Sequence, residues 1–89
     1  MDDQGGIMIR KGNIKFEIIN NIGVISSGSK GWKTELNVVS WNGGDPKYDI
    51  RAWHEDHSMM GKGITLSEDE LRSLYKLLIS EVSYLDSEE

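Results

Sequence analysis

Residues 32–53 constrain the fold more than any other part of the chain. Trp32 to Trp41 alternates well, and Lys47 to Trp53 reads as a second strand, with Asn42-Gly43-Gly44-Asp45-Pro46 between them. Side chains on a strand point to opposite faces in turn. The first run therefore places Trp32, Thr34, Leu36, Val38 and Ser40 on one face and Lys33, Glu35, Asn37, Val39 and Trp41 on the other. The second divides into Tyr48, Ile50 and Ala52 against Lys47, Asp49, Arg51 and Trp53. Asn and Gly tolerate positive φ and Pro cannot donate to a ladder, so the intervening residues are a turn. The two runs are predicted to form an antiparallel hairpin, its apolar face toward a core and its basic and aromatic face outward.

Further elements are legible on either side. Lys15-Phe16-Glu17-Ile18-Ile19 is strand-like, Asn20-Asn21 offers a bend, and Gly23-Val24-Ile25-Ser26 reads either as a second strand or as the same strand past a kink. Gly61-Lys62-Gly63-Ile64-Thr65-Leu66 is a further strand. Ser67 followed three residues later by Glu70 is a capping box, Leu66 and Leu71 form its hydrophobic staple, and Glu68 and Asp69 suit the positive end of the helix dipole, so a helix is predicted to start at Glu68. On that helix Leu71, Leu74, Tyr75, Leu78, Ile79, Val82 and Leu85 span an arc of roughly 140°, with Leu77 and Tyr84 outside it. This is more apolar surface than one sheet face must cover, and at 89 residues oligomerisation is a common source of the missing burial. A homodimer with helix-to-helix contacts is expected. Strands followed by a helix, without βαβ alternation, make an α+β domain. The expected division is a flexible arm over 1–12, one domain over 13–85 and an acidic tail over 86–89.

The formal net charge of −5 seems to speak against a polyanion ligand until it is located. Residues 1–27 and 28–66 are each balanced, whereas 67–89 hold Arg72 and Lys76 against seven acidic residues. The excess acid belongs to the helix and tail, and the strand segments carry no net charge. Single-stranded nucleic acid exposes the π-faces of its bases to aromatic rings while cations follow its phosphates. A surface that interleaves Lys33, Trp41, Lys47, Arg51 and Trp53 supplies both. Lys30 in the loop Gly28-Ser29-Lys30-Gly31, Trp32 and Lys62 extend the candidate set. The same pattern also fits core or dimer-contact tryptophans with lysines that solubilise the surface, and Glu35 and Asp49 would repel phosphate unless paired across strands.

Catalysis has little support. His54-Glu55-Asp56-His57 lacks a local helix and a distant third ligand, so metal binding is not expected and the histidines read as solvated loop residues. Gly61-Lys62-Gly63 lacks the first glycine of a phosphate-binding loop, and no nucleophile elbow is present. The expectation is a protein without enzymatic activity, cofactor or metal. With no cysteine there is no disulfide framework, no apolar run approaches the ~20 residues needed to span a bilayer, and the N-terminus lacks a signal pattern. A cytoplasmic location, away from membranes, is expected. A protein–protein adaptor acting through the acidic helix is the alternative function.

Tyr48-Asp49-Ile50-Arg51, followed after a loop by Gly61-Lys62-Gly63-Ile64-Thr65-Leu66 and a helix, resembles the transcriptional coactivator family positive cofactor four (p15), with its small bacterial YdbC-type members the nearest in kind. The resemblance covers about residues 32–80. It implies a curved four-stranded antiparallel sheet followed by a C-terminal helix, dimerisation through helices and sheet edges, and single-stranded DNA binding in a groove formed by both subunits, without catalysis or cofactor. Arg51 matches the family's strand arginine, Trp53 stands where the family has an aromatic two residues later, Lys62 matches the lysine before Gly-Ile, and Trp41 lies near the aromatic ahead of the hairpin turn. The turn itself departs: Gly43, Gly44 and Asp45 stand where coactivator members carry lysines, leaving Lys47 to substitute. The label implies transcription or DNA transactions and transcription machinery as a partner. The basic or serine-rich N-terminal region of eukaryotic coactivators is missing, so recruitment of a polymerase II machinery is not implied. Nothing in the pattern separates DNA from RNA.

Overall fold

A computed structural model describes residues 9–10 and 14–88. The elements are β1 (Ile9–Arg10), β2 (Phe16–Ser27), β3 (Trp32–Trp41), β4 (Lys47–His54), β5 (Met59–Leu66) and α1 (Glu68–Asp86). Their order in the sheet is β1-β5-β4-β3-β2, all antiparallel. The four long strands form the expected meander, and the expected hairpin pairs Trp32 with His54 through to Val39 with Lys47. Its turn uses left-handed Asn42 and Gly43, and the Gly44 N–H donates to the Trp41 carbonyl at 2.8 Å. The short β1 pairs Ile9 with Met60 and Arg10 with Met59, so this part of the stretch expected as a flexible arm is strand. The rest of that arm, residues 1–8 and 11–12, lies outside the described residues, as do Asn13 and Glu89.

The ambiguity over residues 15–26 resolves into one strand. β2 pairs with β3 along its whole length but skips Ile19, Ile22 and Ile25, three irregularities three residues apart. Each bulge bends its strand and raises the local twist. The sum is a sheet curled enough that Phe16 on β2 reaches past β3 to Trp53 on β4, with ring centroids 5.0 Å apart.

Curvature decides which face is enclosed, and it reverses the expectation. Trp53, Val39, Asn37, Asp49, Glu35 and Met60 are buried, and all lie on the concave face that includes Lys33, Arg51 and Trp41. The opposite face buries Trp32, Ala52 and Leu66 but leaves Leu36, Val38, Tyr48 and Ile50 half-buried and Ile64 exposed. α1 stands over this second face. It begins at Glu68 with the predicted capping box, the Ser67 side chain accepting from the Glu70 N–H at 3.1 Å and Glu70 accepting from the Ser67 N–H at 2.8 Å. None of its residues is buried. A cavity of about 440 Å³ opens between sheet and helix, lined by Leu36, Tyr48, Leu71, Leu74, Tyr75 and Leu78 among others.

Candidate nucleic-acid interface

Four rings form a row across the concave face. Trp41 lies 6.0 Å from Phe16, Phe16 lies 5.0 Å from Trp53, and Trp53 lies 5.2 Å from His57. Strand alternation puts Trp41 and Trp53 on one face, and the bulged, curling β2 brings Phe16 between them. Trp53 is 0% exposed, so in this closed arrangement it offers no face to a base. Trp41 and Phe16 are half-buried and retain accessible surface. Trp32, also a candidate stacker, is buried on the opposite face with its ring edge-on to His54 at 5.7 Å.

Arg51 is committed within the protein. Its Nε and Nη2 donate to the two carboxylate oxygens of Asp49 at 2.8 Å each, Nη1 donates to the Gly61 carbonyl at 3.1 Å, and the guanidinium sits 4.8 Å from the centre of the Trp41 ring. Asp49, wholly buried, also accepts from the Thr65 hydroxyl at 2.9 Å. A bidentate, desolvated pair of this kind holds both partners in one geometry. Arg51 therefore orients the Trp41 ring, and the ion pair that offsets the Asp49 charge runs along one strand, between residues two apart, and not across strands.

Glu35 has its hydrogen-bonding capacity met in a different way. One of its oxygens accepts from Asn21 Nδ2 at 3.1 Å, Asn37 Nδ2 at 3.0 Å and His57 Nε2 at 3.0 Å. His57 reaches it from the β4–β5 turn in a left-handed conformation, φ +58°. His54 takes another path, its Nδ1 lying 3.1 Å from Asp56 Oδ1. Neither histidine is a plain solvated loop residue, because each ring packs on a tryptophan. Hydrogen bonds from the Ser58 hydroxyl and backbone N–H, and one from His54, hold the Asp56 carboxyl well below the usual carboxylate range. Among the described residues no cluster of three or more metal-ligating side chains exists.

The lysines occupy the rim. Lys33, half-buried, lies on the concave face opposite Trp53, and exposed Lys47 lies on the same face opposite Val39. Lys62 is exposed, and alternation from Leu66 and Ile64 puts it on the helix-side face beside the register shift of β5. Lys30 is exposed in the left-handed β2–β3 loop. Of the eight candidate residues, the concave face thus gathers Lys33, Trp41, Lys47, Arg51 and Trp53, while Trp32, Lys62 and Lys30 fall elsewhere. Phe16 and His57 join the row unforeseen. Phe16 carried a signal in its alternation with Ile18, whereas the position of His57 depends on a turn geometry that the residue pattern did not announce.

Residues 28–77 match the family described as Transcriptional Coactivator p15 (PC4). A protein of Treponema pallidum (strain Nichols), described as an uncharacterized protein, is 43% identical over 79 residues, which are 89% of this chain and 91% of that protein. The family match takes in β3, β4, β5 and the first half of α1.

Proposed function

The chain belongs to the Transcriptional Coactivator p15 (PC4) family, and on that premise we propose that it binds single-stranded DNA as a homodimer, tolerant of sequence and without catalysis or cofactor. The carrying observation is that the matched residues include the strands bearing Lys33, Trp41, Lys47 and Lys62. Stacking supplies the larger share of affinity. Bases on Trp41 and Phe16 contribute roughly 1–3 kcal/mol each. The two concave-face lysines, Lys33 and Lys47, at phosphates, at a slope of about −0.7 per contact, weaken binding roughly sevenfold between 50 and 200 mM salt, or about 1.2 kcal/mol.

The dimer reading draws on the same structure. Tyr75, Leu78, Ile79, Val82 and Leu85 on α1 and Ile19, Ile22 and Ile25 on β2 are all 46–62% exposed, an apolar extent unusual for a monomer. A second copy covers it. No helix of the described residues is long and apolar enough to cross a membrane, and a cytoplasmic role in transcription or another DNA transaction is part of this reading. The test is affinity for oligo-dT, oligo-rU and duplex DNA side by side at 50 and 200 mM salt, with mass by light scattering. Equal affinity for duplex and single strand, or a monomer at micromolar concentration, would overturn it; the oligo-rU arm decides whether RNA shares the site.

A further inference from the structure

The β4–β5 turn is cross-linked within itself and touches the concave face of the sheet through His57, while His54 packs on Trp32 on the other face. Internally it is held by the His57 N–H donating to the His54 carbonyl at 2.7 Å, the Ser58 N–H donating to Asp56 at 2.8 Å and the His54–Asp56 contact. Its hold on the concave face runs through His57, whose Nε2 meets Glu35 on β3 and whose ring lies edge-on to Trp53 on β4. On β5 the pair Trp53–Met60 closes the turn, and the ladder's irregularity lies just beyond it, before the pair Arg51–Gly63. Beneath it Trp53 has a buried indole N–H with no hydrogen-bond partner among the described residues. Such a group is costly to keep enclosed. Release of His57 would leave Glu35 its two asparagine donors, so the carboxylate tolerates opening.

We propose that the β4–β5 turn is a gate over Trp53, latched by His57 on Glu35, and that single-stranded nucleic acid captures the open state and stacks on the uncovered ring. This rests on the single-stranded DNA reading above. A ligand that binds only the open state has an apparent affinity reduced by the open fraction, so weakening the latch tightens binding. His57 acts as a positioning residue, through the turn it anchors.

The test reads hydrogen exchange of the Trp53 indole N–H by NMR, its resonance assigned with single Trp→Phe variants. His57→Asn keeps a residue that accepts left-handed φ but lacks the ring and the reach to Glu35. Loss of a hydrogen bond to a charged group corresponds to roughly tenfold or more in equilibrium. Trp53 indole exchange should accelerate by about that factor while the Val39 amide stays protected, and apparent oligo-dT affinity should rise by up to the same factor. Unchanged indole exchange, or equal acceleration at Val39, would show that the turn is no separate gate. In the wild type, saturating oligo-dT should shift the Trp53 indole resonance; binding without such a shift overturns the stacking role. Faster indole exchange in a protein that binds no oligo-dT would instead overturn the ligand reading and leave the local opening standing.

Discussion

Gly63 sits opposite Arg51 in the β4–β5 ladder, and replacing it with alanine should unfold this region by steric force alone. A Cβ there would lie 2.1 Å from Arg51 Cβ, 2.4 Å from the Ile50 carbonyl oxygen and 2.9 Å from Arg51 Cα. Facing Cβ atoms in a sheet ordinarily stand about 4.5–5.5 Å apart, so the strands would have to separate by roughly 2 Å. Separation strains the neighbouring pair Ile50–Ile64 and lengthens the 3.1 Å bond from Arg51 Nη1 to Gly61. Overpacking costs about 1–3 kcal/mol, and the charge-assisted hydrogen bond about 1.5–3 kcal/mol more. The gain of roughly 0.4–1 kcal/mol from a stiffer unfolded chain offsets little of this. A net loss of about 3 kcal/mol lowers Tm by roughly 12–24 °C in a domain of this size. Urea unfolding followed by circular dichroism, at fixed protein concentration because a dimer's stability depends on it, measures the loss. Gly61→Ala is the control from the same strand: its Cβ would meet Ala52 Cβ at 3.5 Å, an ordinary contact. If Gly63→Ala stays within about 1 kcal/mol of wild type, the close approach of the strands is not what requires glycine here.

Trp53→Ala should cost about 3–5 kcal/mol, as expected for truncating a large buried ring, while Trp53→Phe, which also removes the unpartnered N–H, should cost much less; urea midpoints decide. Lys33→Ala and Lys47→Ala should each make the salt slope of oligo-dT binding shallower by about 0.7 with Tm little changed, whereas Lys62→Ala on the helix-side face should leave the slope unaltered, as fluorescence anisotropy would show. Asp56 titrates below its ordinary value of 3.8 in the folded chain, so its carboxylate stabilises the fold above that pH and the contribution fades as pH falls below it. The destabilisation caused by Asp56→Asn near neutral pH should therefore shrink between about pH 5 and pH 2 in acid-titrated thermal melts; a constant difference would refute the assignment.

Much of the architecture was legible because local rules govern it. Ser67 and Glu70 announced the start of α1, the Asn42–Pro46 segment announced the hairpin turn, and alternation sorted Trp41, Arg51 and Trp53 onto one face, where the fold holds them. β2 was only half readable, since Ile19, Ile22 and Ile25 interrupt the period of two and a bulged strand mimics two short ones. The candidate site was readable as a set of residue types and misread as a surface: Arg51 proved to be tied to Asp49 and Trp41, and Trp53 to be the most deeply enclosed ring of the row.

What residue order alone determined is the alternation, the turns, the helix cap and the sequestering of acidic charge at the C-terminal end, each set by neighbours a few positions apart. What only the tertiary structure decided is which face of the sheet closes. Curvature accumulates from three bulges on β2 and becomes visible only when Phe16 meets Trp53 across an intervening strand. The buried carboxylates of Asp49 and Glu35 are tolerable for the same reason, because Arg51 satisfies one within its own strand while Asn21, Asn37 and His57 converge on the other from three separate stretches of chain.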